Sequence, residues 1–187
     1  MVYLTIACRA MLFAVFVAAF AGKVRGRRAF ADFRRSVAEF RVLPPSWSGW
    51  AARATIAGEA GVLLLLALPW TVPAGFALAA GLLGAFTAAV ALALRRGRTA
   101  SCQCFGASAA PLSATHLVRN LALLAVCLTG LVGGAFPAAA ASGRPAGLAL
   151  ALSAGAAAAL FAVRLDDVVA LLAPPAATGH PSAPRRR

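Results

Sequence analysis

Apolar runs of membrane-crossing length constrain this chain more than any other feature it has. A helix needs about 20 apolar residues to cross the hydrocarbon core of a bilayer. The chain offers such runs repeatedly, parted by connections too short to hold a second domain. In lipid every backbone N–H and C=O must find its partner inside the chain, so these runs fold as helices. The first covers residues 4–22, the second 50–70, the third 74–94 and the fourth 113–134. A fifth, rich in alanine, covers 146–163 and continues through Arg164-Leu165-Asp166-Asp167 to residue 173. The expected fold is an all-α integral membrane protein. A four-helix transmembrane bundle takes residues 1–135, and a fifth C-terminal span takes residues 136–173. Only 12% of residues are charged and 61% are hydrophobic, against roughly 25% and 45–50% in a soluble domain. No basic region precedes the first run, and the run is too long for a cleavable signal peptide.

The charges fall between the runs. Net charge is +13, which in a soluble protein would suggest nucleic acid. No aromatic-studded basic face or groove-reading motif accompanies it, so nucleic acid is excluded as a partner. The lipid bilayer is the expected partner instead. Seven basic residues lie between Lys23 and Arg41, against Asp32 and Glu39. There Phe30, Phe33, Val37 and Phe40 recur at spacings of three and four. This pattern predicts an amphipathic helix at 27–41 lying in the headgroup region; a solvated basic linker is the plainer alternative. Pro44 and Pro45 end it. Residues 174–187 are proline-rich, end in three arginines, and are expected to be disordered. Counting Lys and Arg in the short loops puts the basic side in the cytoplasm. The expectation is therefore a multi-pass protein of the cell (inner or plasma) membrane, N-terminus outside and C-terminus inside. Gly81, Gly84 and the small-residue run at 154–159 predict close helix–helix approach.

Chemistry is concentrated in Ser101-Cys102-Gln103-Cys104-Phe105-Gly106, a loop between the third and fourth spans. Two cysteines this close in a turn can meet the roughly 4.4–6.8 Å Cα separation of a disulfide. The small ring so closed suits exchange better than bracing. Arg95, Arg96 and Arg98, with the N-terminal end of the next helix, favour the thiolate, and Gly106 gives the turn its freedom. Two other readings stay open: incidental cysteines in a loop, or a metal site with His116 as the candidate third ligand. The latter lacks local partners, and no metal is assigned. Cys8 and Cys127 lie within spans and read as small buried apolar residues. Arg9 interrupts the first span near one end, where its side chain can snorkel.

Glu59 sits about nine residues into the second span, where an unpartnered carboxylate is costly. Arg119 lies at a similar depth in the fourth, at about 1.5 Å of rise per residue. The expectation is an interhelical Glu59–Arg119 charge pair supported by Asn120 and His116. Such a pair is either a structural clasp or a proton- or quinone-binding site.

Arg9, Lys23, Glu59, the Cys102-Gln103-Cys104-Phe105-Gly106 loop and Arg119-Asn120 together resemble the methylamine utilisation protein MauE family. That family is in turn similar to DoxX-like membrane proteins. The resemblance covers roughly residues 1–135, and the Cys-x-Cys-Phe-Gly loop is its most specific element. It implies a four-helix bundle associated with redox maturation, in which Cys102 and Cys104 form the redox pair. It also implies a client, the disulfide-rich small subunit of methylamine dehydrogenase. Gln103 stands where glycine is common, and the fifth span and basic tail lie outside the shared region.

The resemblance and the charge count conflict, since such client disulfides are made outside the cytoplasm. Either a cytoplasmic thioredoxin-like partner serves the loop, or the topology is inverted; the charge count rests on more residues. Beside a thiol–disulfide oxidoreductase stand two alternatives, a non-catalytic scaffold or maturation factor and a DoxX-type quinone-linked subunit. Quinone is the only cofactor that enters these readings.

Overall fold

The computed structural model describes residues 1–42, 44–97, 114–135 and 144–172, the side chains of 45, 114, 135 and 166–172 excepted. Six helices follow one another: α1 (Val2–Val24), α2 (Arg27–Glu39), α3 (Ser48–Ala67), α4 (Val72–Arg95), α5 (Ala114–Ala135) and α6 (Pro145–Leu172). Short 3-10 turns at Pro45–Trp47 and Pro69–Thr71 lead into α3 and α4. Five stretches are long and apolar enough to cross a membrane: Val2–Val24, Ser48–Ala67, Pro69–Arg95, Thr115–Gly134 and Pro145–Leu165.

α1, α3, α4 and α5 close a ring in which each packs on two neighbours, and α6 lies against the outside of α1. This is the expected four-helix bundle with an added fifth span. Its centre is dry. Leu12, Val62, Phe76, Ala79 and Cys127 are fully buried there, with Leu123 beside them. Without water to drive burial, the ring holds by close van der Waals contact and by pairing its polar groups.

Close approach depends on glycine at one of the expected places, the 154–159 run, and not at the other two. Gly81 and Gly84 face open space. The tight crossing is at Gly155 of α6, where a Cβ would lie 2.6 Å from the Ala7 carbonyl oxygen and 2.9 Å from the Ala10 side chain. On α5, the ring of Phe76 occupies the space a side chain at Gly130 would need.

Helix ends inside the bilayer must also be satisfied. At the C-terminus of α3, Arg9 donates from Nε to the Leu66 carbonyl (2.6 Å) and from Nη2 to the Ala67 carbonyl (3.0 Å). Thr71 Oγ1 donates to the Leu65 and Leu68 carbonyls at 2.7 and 3.3 Å. Two side chains thus cover carbonyls that lipid could not, and the guanidinium also meets the negative end of the helix dipole. Arg9 therefore does more than snorkel: it ties α1 to the end of α3.

At the other end of the bundle, α2 lies across α1 and α3. Its apolar stripe faces the protein, with Phe33 and Ser36 buried, Phe40 buried just beyond, and Arg27, Arg28, Arg34 and Arg35 exposed. The chain turns at Arg41, whose φ of 47° is left-handed. Arg96, just past α4, holds that turn by donating from Nη1 to the Arg41 carbonyl at 3.1 Å.

Candidate functional site

Under α2 the bundle opens into a cavity of about 290 Å³. Its wall is apolar, formed by Val15, Phe16 and Ala19 of α1, Phe33 and Val37 of α2, and Leu82, Phe86 and Ala89 of α4, with Phe40 just beyond α2. Four polar residues interrupt it: Lys23, Thr55, Glu59 and Asn120.

Lys23 and Glu59 form an ion pair at 2.7 Å between Nζ and Oε1, their side chains only 4% and 8% exposed. Nζ also donates to the Ala19 carbonyl at 3.2 Å and lies 5.0 Å from the centroid of the Phe33 ring. An ammonium has three protons to place; here it meets a carboxylate, a carbonyl and a ring face, a cation–π contact. Such saturation is what lets two charges persist in a low-dielectric interior.

Lys23 therefore corrects the Glu59–Arg119 pair. Two features of helix geometry explain it. Side chains lean toward the N-terminus of their helix, so Lys23, one residue from the end of α1, reaches back into the bundle toward α3. Consecutive residues are also about 100° apart around a helix at 3.6 residues per turn. Arg119 and Asn120 cannot both face the cavity, and Asn120 is the one that lines it. Arg119 is buried, as is His116. Asn120 and Glu59 line the same cavity, but the Asn120 amide nitrogen makes no hydrogen bond.

The remaining sequence candidates separate. Cys102, Cys104 and Gly106, with Arg98, lie outside the described residues. Cys8 and Cys127 are buried free thiols in the core where α1 meets α5. Among the described residues no group of three or more His, Cys, Asp or Glu is placed to hold a metal ion. What the sequence reading missed is the cavity itself and the aromatic side chains on it, Phe16, Phe33, Phe40 and Phe86. The signal was present in part. The three- and four-residue spacing of Phe33, Val37 and Phe40 marked an apolar face, but nothing local says whether lipid or protein covers it.

The family model of the methylamine utilisation protein MauE matches residues 1–133. The curated methylamine utilization protein MauE of Paracoccus denitrificans is 40% identical over 131 residues, covering 67% of this chain and 68% of that protein. No solved structure matches. The matched region takes in α1 to α4, nearly all of α5 and the connection with both loop cysteines, and stops before α6. On that extent of match, this chain belongs to the MauE family.

Proposed function

We propose that the protein is a membrane redox-maturation factor in which Cys102 and Cys104 undergo thiol–disulfide exchange in support of a client protein's maturation. The family points to the small subunit of methylamine dehydrogenase as that client and to methylamine metabolism as the setting. The observation that carries the reading is where the cysteines fall in the chain. They lie within the family-matched residues, on the connection from α4 to α5. Both helices line the cavity, α4 with Ala89 and α5 with Asn120. Asn120 is six residues past Ala114, or about 9 Å of helix.

In the exchange, a thiolate of a reduced thioredoxin-like partner attacks the Cys102–Cys104 disulfide to form a mixed disulfide. The partner's second thiolate then displaces the bound cysteine, so the partner becomes the disulfide, Cys102 and Cys104 become the dithiol, and two electrons pass to the pair. The connection joins the end of the bundle that carries α2 and Arg96. With its exposed arginines this end is assigned to the cytoplasm, where a thioredoxin-like protein is the exchange partner that fits.

Coexpression with the client is the test. Cys102→Ser or Cys104→Ser should each lower the yield of disulfide-bonded client at least about tenfold, as expected when an exchange step loses its thiolate. Unchanged yield in the double variant would assign the protein to the non-catalytic scaffold class instead.

A further inference from the structure

The cavity beneath α2 has an apolar wall and an unsatisfied polar corner. Glu59 commits Oε1 to Lys23, while its Oε2 accepts from no group; Asn120 Nδ2 donates to none. Both residues are buried, at 6% and 2% exposed, and both line the same cavity. Buried polar atoms without partners are rare and call for an explanation.

One orphan needs a proton and the other offers one. A hydroxyl group can do both, donating to a carboxylate oxygen and accepting from an amide. Phosphate and carboxylate heads only accept, and would set a second negative charge beside Glu59. A ketone also only accepts. An ammonium head would repeat the charge of Lys23. The wall selects the rest of the molecule, because Phe16, Phe33, Phe40 and Phe86 surround the space and flat rings pair well with aromatic side chains. Size agrees: an apolar cavity of ~150 Å³ holds one benzene, so about 290 Å³ holds a ring with short substituents.

We infer that this cavity binds a neutral, lipid-soluble molecule whose buried end is a hydroxyl on a flat ring, a phenol or a hydroquinone. The site needs neither loop cysteine, so it stands or falls apart from the exchange reaction.

The test is calorimetric titration of the full chain in nanodiscs with a decyl-substituted hydroquinone, a decylphenol, its O-methyl ether and decanoate. The hydroxylated rings should bind saturably at one per chain. The ether, which cannot donate to Glu59, should bind at least about tenfold more weakly. Equal affinity for phenol and hydroquinone assigns the site to a single hydroxyl, and preference for hydroquinone assigns it to a redox-active ring; either supports the inference. Ala89→Phe fills the cavity without touching a polar group and should abolish binding. Asn120→Leu should weaken phenol and ether alike and leave the gap between them, since both oxygens accept from its amide, whereas Cys102→Ser with Cys104→Ser should leave every affinity unchanged. Ether binding equal to phenol, tighter binding of decanoate, undiminished binding by a folded Ala89→Phe chain, or no saturable binding at all would overturn it. The last result would mean that water alone fills the polar corner.

Discussion

Lys23 and Glu59 show how one pair of side chains can be both a cost and a constraint. Removing either partner leaves the other charged group buried and unpaired, which costs about 3–5 kcal/mol in buried pairs of this kind. Glu59→Leu or Lys23→Met should therefore destabilise the bundle strongly, read as the midpoint of denaturant unfolding in detergent. Lys23→Met combined with Glu59→Leu should recover most of that loss, because the desolvated charges leave together. Arg9 predicts a different pattern. Its loss leaves the part-buried Leu66 carbonyl unpaired, the Ala67 bond being exposed, and Arg9→Met should cost about 1–3 kcal/mol. The combination Arg9→Met with Glu59→Leu should be additive, since seven residues of α3, about 10 Å, separate Glu59 from Leu66. This pairing of residues was only partly legible in the sequence. Depth counting identified Glu59 as a charge needing a partner, but it could not weigh the backward lean of Lys23 or choose between neighbours on α5.

At the scale of elements the sequence was more informative, because each span is long enough to read alone. Apolar length fixes a membrane helix by the thickness of the bilayer, and all five spans follow from it. Which faces meet does not follow, since lipid and protein are equally apolar. Of the small-residue positions expected to pack, Gly81 and Gly84 face open space, whereas Gly155, within the 154–159 run, carries a tight backbone crossing. Gly155→Leu should loosen α6 from α1, seen as a lowered midpoint of denaturant unfolding in detergent, while Gly84→Leu should leave the midpoint unchanged. α2 illustrates the same limit. Its apolar stripe was clear, but its partner is the bundle, with Phe33 and Phe40 3% and 4% exposed. Phe33→Ala should cost about 3–5 kcal/mol, the usual range for a buried aromatic truncated to alanine, and should loosen the cavity beneath it.

Across the whole molecule, charge and chemistry share one end. The exposed arginines of α2, the start of α3 and the end of α4 with Arg96 belong to the side where the cavity lies, and the chain between α4 and α5 carries Cys102 and Cys104. The opposite end has Arg9 and Thr71 closing α3, and its connections are nearly free of charge. A family-matched bundle of α1 to α5 thus carries its polar features on one face, with α6 added outside the match. The central claim is that Cys102 and Cys104 cycle between dithiol and disulfide, and thiol counting tests it most directly. In a Cys8→Ala, Cys127→Ala background only those two thiols remain. Membranes trapped with acid and labelled with a mass-shifting maleimide should show chains that gain two labels only after reduction, with single Cys102→Ser or Cys104→Ser chains showing no such population. Two labels on every chain before reduction, unchanged after oxidant, would contradict it.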